Sequence, residues 1–250
     1  MNRVTTERRG RVLVIRMDRP DKRNAVDAAM TAGLDAALNE LEDDPELWCG
    51  VLTGGPQMFC AGTDLANGAG TPTERGGNYG VVRRERSTPL VAAVDGIAYG
   101  GGFEIVLACD VVVAGRSARF GLPEVSRGVI ANCGALFRAP RPLPLTVAKQ
   151  MLLTGAPLSA ERAYALGLVA ELVEDGEALA GALEIAAQIC RNSPLAVGVT
   201  LRAVDRVAAA DDELGWAATV DGSAVIDASA DRAEGIAAFL EKREPQWTGR

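Results

Sequence analysis

Three consecutive glycines, Gly100, Gly101 and Gly102, interrupt an otherwise apolar run that reads "Asp95-Gly96-Ile97-Ala98-Tyr99-Gly100-Gly101-Gly102-Phe103-Glu104". Glycine gives up more backbone freedom on folding than any other residue, so a triplet in ordered chain calls for a reason. Pro89 to Val94, just upstream, reads as a strand, and Phe103 to Cys109 fits a short buried helix. A strand feeding bare glycines that open a helix presents backbone N–H groups, a natural anion site. If Gly101 stands at that helix end, Glu104 lies three residues on over the same face, and an amide donor and a carboxylate share one space. Close helix–strand packing, with Glu104 solvated in the first turn, would use the same residues. The spacing is not G-x-G-x-x-G, which argues against a dinucleotide site.

The flanking sequence extends an α/β order. Val12 to Met17 and Trp48 to Thr53 are β-branched runs that read as strands, and Val111 to Val113 is another. Between the first two, Val26, Met30, Leu34, Ala37, Leu38 and Leu41 recur at helical spacing, and Asp43-Asp44-Pro45 ends the run. Beyond about residue 140 the pattern reads as helix only. Leu145 to Leu153 is followed by a helix capped by Ser159 and stopped by Gly167. Leu179 to Cys190 is alanine-rich. Ser193-Pro194 opens a helix reaching about Ala209. Asp231 and Glu234 resemble a capping box ahead of Ile236 to Lys242. The expected organisation is a mixed core over 1–190 and a helical C-terminal region over 191–250. Residues 66–80, "ANGAGTPTERGGNYG", show no periodicity and read as a mobile surface loop unless they border a pocket.

The 250 residues contain no histidine. That removes serine–histidine and cysteine–histidine nucleophile pairs and histidine acid–base work. With no CxxC pattern either, no metal site is expected. Proton transfer near neutral pH falls to carboxylates, lysine, tyrosine or cysteine. The five cysteines are an odd number in scattered, mostly apolar contexts, which reads as reduced thiols. A net charge of −7 argues against nucleic-acid binding. No window approaches the roughly 20 apolar residues of a membrane span, and the polar start lacks a signal-peptide core, so a cytoplasmic protein is expected.

A second acid, Glu124, sits in "Phe120-Gly121-Leu122-Pro123-Glu124", where glycine and proline fix a turn that could aim it. "Phe59-Cys60-Ala61-Gly62-Thr63-Asp64-Leu65" again places small residues after a strand, where amides can meet a ligand. Cys60 reads as a packed thiol, with no histidine to activate it. Asp64 equally suits capping the following turn.

In this order and spacing, these segments and "Arg19-Pro20-Asp21-Lys22-Arg23-Asn24-Ala25" resemble the crotonase (enoyl-CoA hydratase/isomerase) superfamily. "Leu152-Leu153-Thr154-Gly155", "Ala163-Tyr164-Ala165-Leu166-Gly167-Leu168-Val169" and "Phe239-Leu240-Glu241-Lys242-Arg243" extend the resemblance over nearly the whole chain. It implies an α/β crotonase (ClpP-like) spiral of repeated ββα units with a C-terminal α-helical trimerisation region.

The resemblance also implies a chemistry. The amides of Thr63 and Gly101 would hold the oxygen of an acyl-CoA thioester, with Ala61, Asp64 and Leu65 alongside. Thr63 departs from the alanine often found there, but its role uses main chain only. Glu104 and Glu124 would be the acid pair of an enoyl-CoA hydratase: Glu124 giving the proton to C2, and Glu104 activating the water that attacks C3. Lys22 and Arg23 would serve the nucleotide end of CoA, although they also suit ordinary turn-surface charges. Phe239 and Lys242 would reach a neighbouring subunit's CoA in a homotrimer or hexamer. No cofactor is implied, coenzyme A being part of the substrate. A carnitinyl-CoA-type dehydratase, an isomerase, a thioester hydrolase and a non-catalytic acyl-CoA-binding protein are the alternatives. After Glu124 the run "Gly128-Val129-Ile130-Ala131-Asn132-Cys133-Gly134" brings side chains to a wall that is often bare, which leaves acyl preference open.

Overall fold

The polar start of the chain forms a strand. The computed structural model describes residues 3–249 and opens with β1 (Val4–Arg9), paired antiparallel with β2 (Val12–Met17). Only Val4 of β1 is buried, so this edge strand leaves almost no hydropathy signal. Helix α1 (Ala28–Asp43) follows, its N-terminus capped by the Asp27 carboxylate, which accepts from Met30 N. The chain continues through β3 (Cys49–Thr53), β4 (Leu90–Val94), β5 (Ile97–Tyr99), α2 (Gly101–Val106), β6 (Val111–Gly115) and β7 (Arg119–Gly121). Then come α3 (Ala135–Arg138), α4 (Leu145–Thr154), β8 (Leu158–Ser159), α5 (Ala160–Leu166) and β9 (Glu171–Val173). Helices α6 (Ala178–Cys190), α7 (Pro194–Ala208), α8 (Asp212–Asp227) and α9 (Ala230–Glu241) complete the fold.

The large sheet has the order β1-β2-β3-β4-β6-β9, parallel from β2 onward, and the small one β5-β7-β8. Each of β4 and β6 leaves the large sheet and turns at once into the small one, as β5 and β7. The chain after β3 makes the same turn more loosely, through a bridge between Cys60 and Ala98. This repetition is the expected spiral of ββα units.

Every residue of β3 and β4 is buried, which explains their uninterrupted apolar runs. One face packs on α1 through Leu13, Ile15, Leu52 and Ala92. The other packs Val51, Val91 and Val113 on Ala178, Ala182 and Ala186 of α6, small residues that let the helix lie close.

Two expectations need correction. Residues beyond 140 are not helix only: β9 joins β6 in the large sheet and β8 joins β7 in the small one. Strands of two or three residues are too short to show a period. Asp231 and Glu234 form no capping box. Ser229 caps α9 by accepting from Arg232 N, Asp231 accepts from Thr248 and Gly249, and Glu234 pairs with Arg243. Helix α8 lay outside the sequence reading because it has no buried apolar stripe; only its Thr219 is buried. Ser159, Gly167 and Ser193 end their helices as expected.

Among the described residues no helix is long and apolar enough to cross a membrane.

Candidate active site

The glycine triplet makes room for three different neighbours. A β-carbon at Gly100 would lie 3.1 Å from Glu124 Oε1, one at Gly101 2.3 Å from the Tyr79 hydroxyl, and one at Gly102 2.4 Å from Cys60 O. Gly100 itself turns the chain with φ of 54°, a conformation that suits glycine. Gly62 presses on the same place: its β-carbon would stand 2.8 Å from Tyr99 O and 3.2 Å from Gly101 N. The segment Gly62-Thr63 therefore lies directly against Gly100-Gly101.

Both candidate amides are free. Thr63 sits in a parallel bridge in which Val26 N donates to Gly62 O and Asp64 N donates to Val26 O, so the Thr63 N–H between them points away. Gly101 opens α2 and has no intrahelical acceptor. Neither N–H meets another acceptor among the described residues. Two unpaired donors on touching segments can stabilise a single developing oxyanion.

The two acids are held differently. Glu104, on α2, is only 2% exposed, and its Oε1 accepts from Cys133 N (2.7 Å) and Ala135 N (3.1 Å). Those donors favour its ionised form, and both go to the same oxygen. Burial, with Glu124's charge adding, pushes its pKa up to about 8 against the pull of the two amides and Arg138. Glu124 rides a 3-10 turn over Pro123–Arg127, and its Oε2 is buried with no hydrogen-bond partner. Burial pushes it up to about 7 against its own backbone amide and Arg127. An unpartnered buried oxygen favours the neutral acid. Both carboxyls are thus raised toward neutrality, where one can be protonated while the other is ionised.

The 66–80 segment is anchored and borders this site, a correction to the mobile-loop expectation. Thr31 Oγ1 donates to Ala69 O at 2.6 Å, and Thr73 Oγ1 to Asp35 at 2.7 Å, tying it to α1. Its Tyr79 is 5% exposed and sits at φ 59°, ψ 3°, with its hydroxyl 2.9 Å from Thr63 Oγ1. The sequence reading missed this residue. A lone aromatic inside a glycine-rich polar loop was the available signal.

The remaining expected residues separate into two groups. Ala61, Thr63 and Leu65 are half-buried and alternate with buried Gly62 and Asp64, so the ribbon turns one face outward. Asp64 faces inward. Its Oδ1 accepts from Ala66 N and Asn67 N, and its Oδ2 from Asn67 Nδ2 and from Arg19 at 2.8 Å. That is the turn-capping role left open by the sequence, joined to a buried ion pair. Lys22 and Arg23 are exposed on a 3-10 turn and form no ion pair among the described residues. Neighbouring Asn24 fixes that turn: Nδ2 donates to Gly54 O, Met58 O and Phe59 O, and Oδ1 accepts from Arg19 N. The Cys60 thiol, packed as expected, donates to Asn24 O, and burial pushes its pKa up to about 12. Phe239 lies under the Arg127 guanidinium, 4.9 Å from it, beside Glu124's turn of the same chain. Lys242 ends α9 in an exposed left-handed cap.

The family model described as enoyl-CoA hydratase/isomerase matches residues 7–250. The chain is 39% identical over 253 residues to the mevalonyl-coenzyme A hydratase of Aspergillus fumigatus, covering 94% of this chain and 91% of that protein. It is 37% identical to the enoyl-CoA hydratase EchA19 of Mycobacterium tuberculosis, covering 98% and 96%. The crystal structure of a carnitinyl-CoA hydratase from Mycobacterium avium superposes with a TM-score of 0.94 at 41% identity, over the full length of both chains. With its spiral of ββα turns, facing amides and paired glutamates, this chain belongs to the enoyl-CoA hydratase/isomerase, or crotonase, family.

Proposed function

We propose that this chain is an enoyl-CoA hydratase that adds water reversibly across the C2=C3 bond of a 2-enoyl-CoA thioester. The observation that carries the reading is the joint presence of two free amides on touching segments and two acids, Glu104 buried and anchored by backbone donors and Glu124 half-buried with one unpartnered oxygen. The amides of Thr63 and Gly101 bind the thioester oxygen and stabilise the charge that develops as the carbonyl becomes enolate-like. Each such donor is worth about 3–4 kcal/mol in the transition state. Glu104 holds a water through Oε2 and takes its proton as it attacks C3. Glu124 delivers a proton to C2. No histidine, metal or cofactor enters the scheme.

Ala61 and Leu65 line the ribbon along which the CoA thiol arm lies. Lys22 and Arg23, exposed and without a carboxylate partner among the described residues, serve its phosphates. Asp64 supports this strip from behind. The exposed apolar residues Leu195, Val199, Val204 and Val207 of α7 and Leu214 and Val225 of α8 support packing against further copies, as a trimer or a pair of trimers. Phe239 and Lys242 then lie where α9 meets such a neighbour. The five free thiols suit a reducing, cytoplasmic setting.

Product identification tests the reading. With 2-butenoyl-CoA the expected product is 3-hydroxybutanoyl-CoA. A 3-enoyl isomer would make the chain an isomerase, free CoA a thioester hydrolase, and saturable binding without proton exchange at C2 a binding protein. Dehydration of a carnitinyl-CoA-type substrate is the same chemistry in reverse. The side chains of Asn132 and Cys133 beside Glu104 favour testing it, since they give the pocket wall polar groups.

A further inference from the structure

The acid pair and the amides leave one side-chain cluster unused: the hydroxyls of Tyr79 and Thr63 and the thiol of Cys133. The Tyr79 phenol lies against the α-carbon of Gly101 and bonds Thr63 Oγ1 at 2.9 Å, so it touches both residues whose amides bind the thioester oxygen. It is buried, and its backbone is held in the left-handed region, a strained conformation for a bulky residue that the fold maintains here. Two hydroxyls carry two hydrogens, and their mutual bond uses one of them. The other hydrogen is left for a further acceptor.

The wall continues polar from there. Cys133 N anchors Glu104, while its sulfur accepts from Asn78 Nδ2 at 3.3 Å and donates to Asn132 Oδ1 at 3.4 Å. Asn78 and Asn132 in turn border a cavity of about 350 Å³ lined by polar residues such as Arg83 and Asp227 and by apolar ones such as Trp216 and Val220. On the hydratase reading, an acyl chain held at C1 by the two amides and at C3 by water on Glu104 passes beside the Tyr79–Thr63 pair, which touches both amide-bearing residues. An alkyl tail would offer no acceptor to the second hydrogen of the Tyr79–Thr63 pair, at a cost in binding.

We propose that Tyr79, with Thr63, is a specificity-determining residue that reads a hydrogen-bonding group at C4 of the acyl chain. The preferred substrates are thus short enoyl-CoA thioesters bearing a hydroxyl or comparable polar substituent just beyond the reacting carbons, rather than fatty-acyl chains. The inference rests on the hydratase reading for its numbering of the acyl carbons.

The test compares 4-hydroxy-2-butenoyl-CoA with 2-pentenoyl-CoA, which replaces the hydroxyl by a methyl group of similar size. Wild-type kcat/KM is expected to favour the hydroxylated thioester at least tenfold. Tyr79→Phe and, independently, Thr63→Val should each lower that ratio about fivefold to tenfold, the range of one neutral hydrogen bond. A wild-type ratio near one overturns the inference without any variant, and so does an unchanged ratio in a folded Tyr79→Phe protein. If neither thioester is hydrated, the hydratase reading fails, and binding of the saturated analogues decides the specificity separately. Calorimetry should then show 4-hydroxybutanoyl-CoA binding more tightly than pentanoyl-CoA, with the difference lost in Tyr79→Phe. Equal affinities overturn it.

Discussion

The hydroxyl of Tyr79 fills the space beside Gly101 in which a side chain would begin, 2.3 Å from where its β-carbon would stand. Position 101 is thus glycine for a second reason besides access of the backbone to a ligand. Gly101→Ala should push the tyrosine and the amide apart. A displacement of about 1 Å at a reacting group can cost about 100-fold in rate. Steady-state kinetics on 2-butenoyl-CoA should show a fall in kcat/KM of that order, accompanied by a lower melting temperature.

The two acids should separate binding from turnover. Glu124→Gln and Glu104→Gln keep size and polarity but remove the transferable proton or the base. Each should lower kcat by about 10² to 10⁴, the usual range for a positioned acid or base. Calorimetry with butanoyl-CoA should find affinity changed by no more than a few-fold. Parallel loss of affinity would make the residue structural.

The pH dependence follows from shared burial. Hydration needs one acid protonated and the other ionised, and burial pushes the pair to about 7 and about 8. The profile of kcat/KM should be bell-shaped, falling below about 7 as both become protonated and above about 8 as both ionise. Stability follows the native proton affinity. The folded chain binds Glu104's proton more tightly than the unfolded chain, so this group makes the protein progressively less stable as pH rises from 4.5 to about 8. Denaturant melts of Glu104→Gln across that window should show a flatter dependence.

Asp64 carries the opposite sign. Asn67's side chain, Arg19 and the Ala66 and Asn67 amides hold its carboxyl down to about 2 against the cost of burial. Its contribution is complete at neutral pH and is lost as pH falls from 3.8 through about 2. Asp64→Asn leaves the buried Arg19 guanidinium without its close carboxylate at 2.8 Å. Urea melts at pH 7 should show destabilisation of about 3 kcal/mol, the order found when a buried pair loses one partner.

Much of this arrangement was legible in the residues. The fully buried runs of β3 and β4, the helical spacing over Met30, Leu34, Leu38 and Leu41, and the caps at Ser159 and Ser193 are local patterns set by local forces. The glycine triplet and the two glutamates stood out as candidates. What remained hidden depends on tertiary contact. The edge strand β1 exposes nearly all its side chains, β8 and β9 are too short for a period, and Ser229 caps α9 in place of the expected Asp231. Tyr79 lay in a segment without periodicity, and only the packing of residues 66–80 on α1 brings it to Gly101.

The central claim is that the amides of Thr63 and Gly101 polarise one thioester carbonyl. The most direct measurement is the infrared stretch of a ¹³C-labelled thioester carbonyl in 2-butenoyl-CoA bound to Glu124→Gln, in which turnover is blocked. Two hydrogen bonds from preorganised donors predict a stretch at lower wavenumber than the same thioester shows in water. A bound carbonyl at or above its frequency in water would contradict the account.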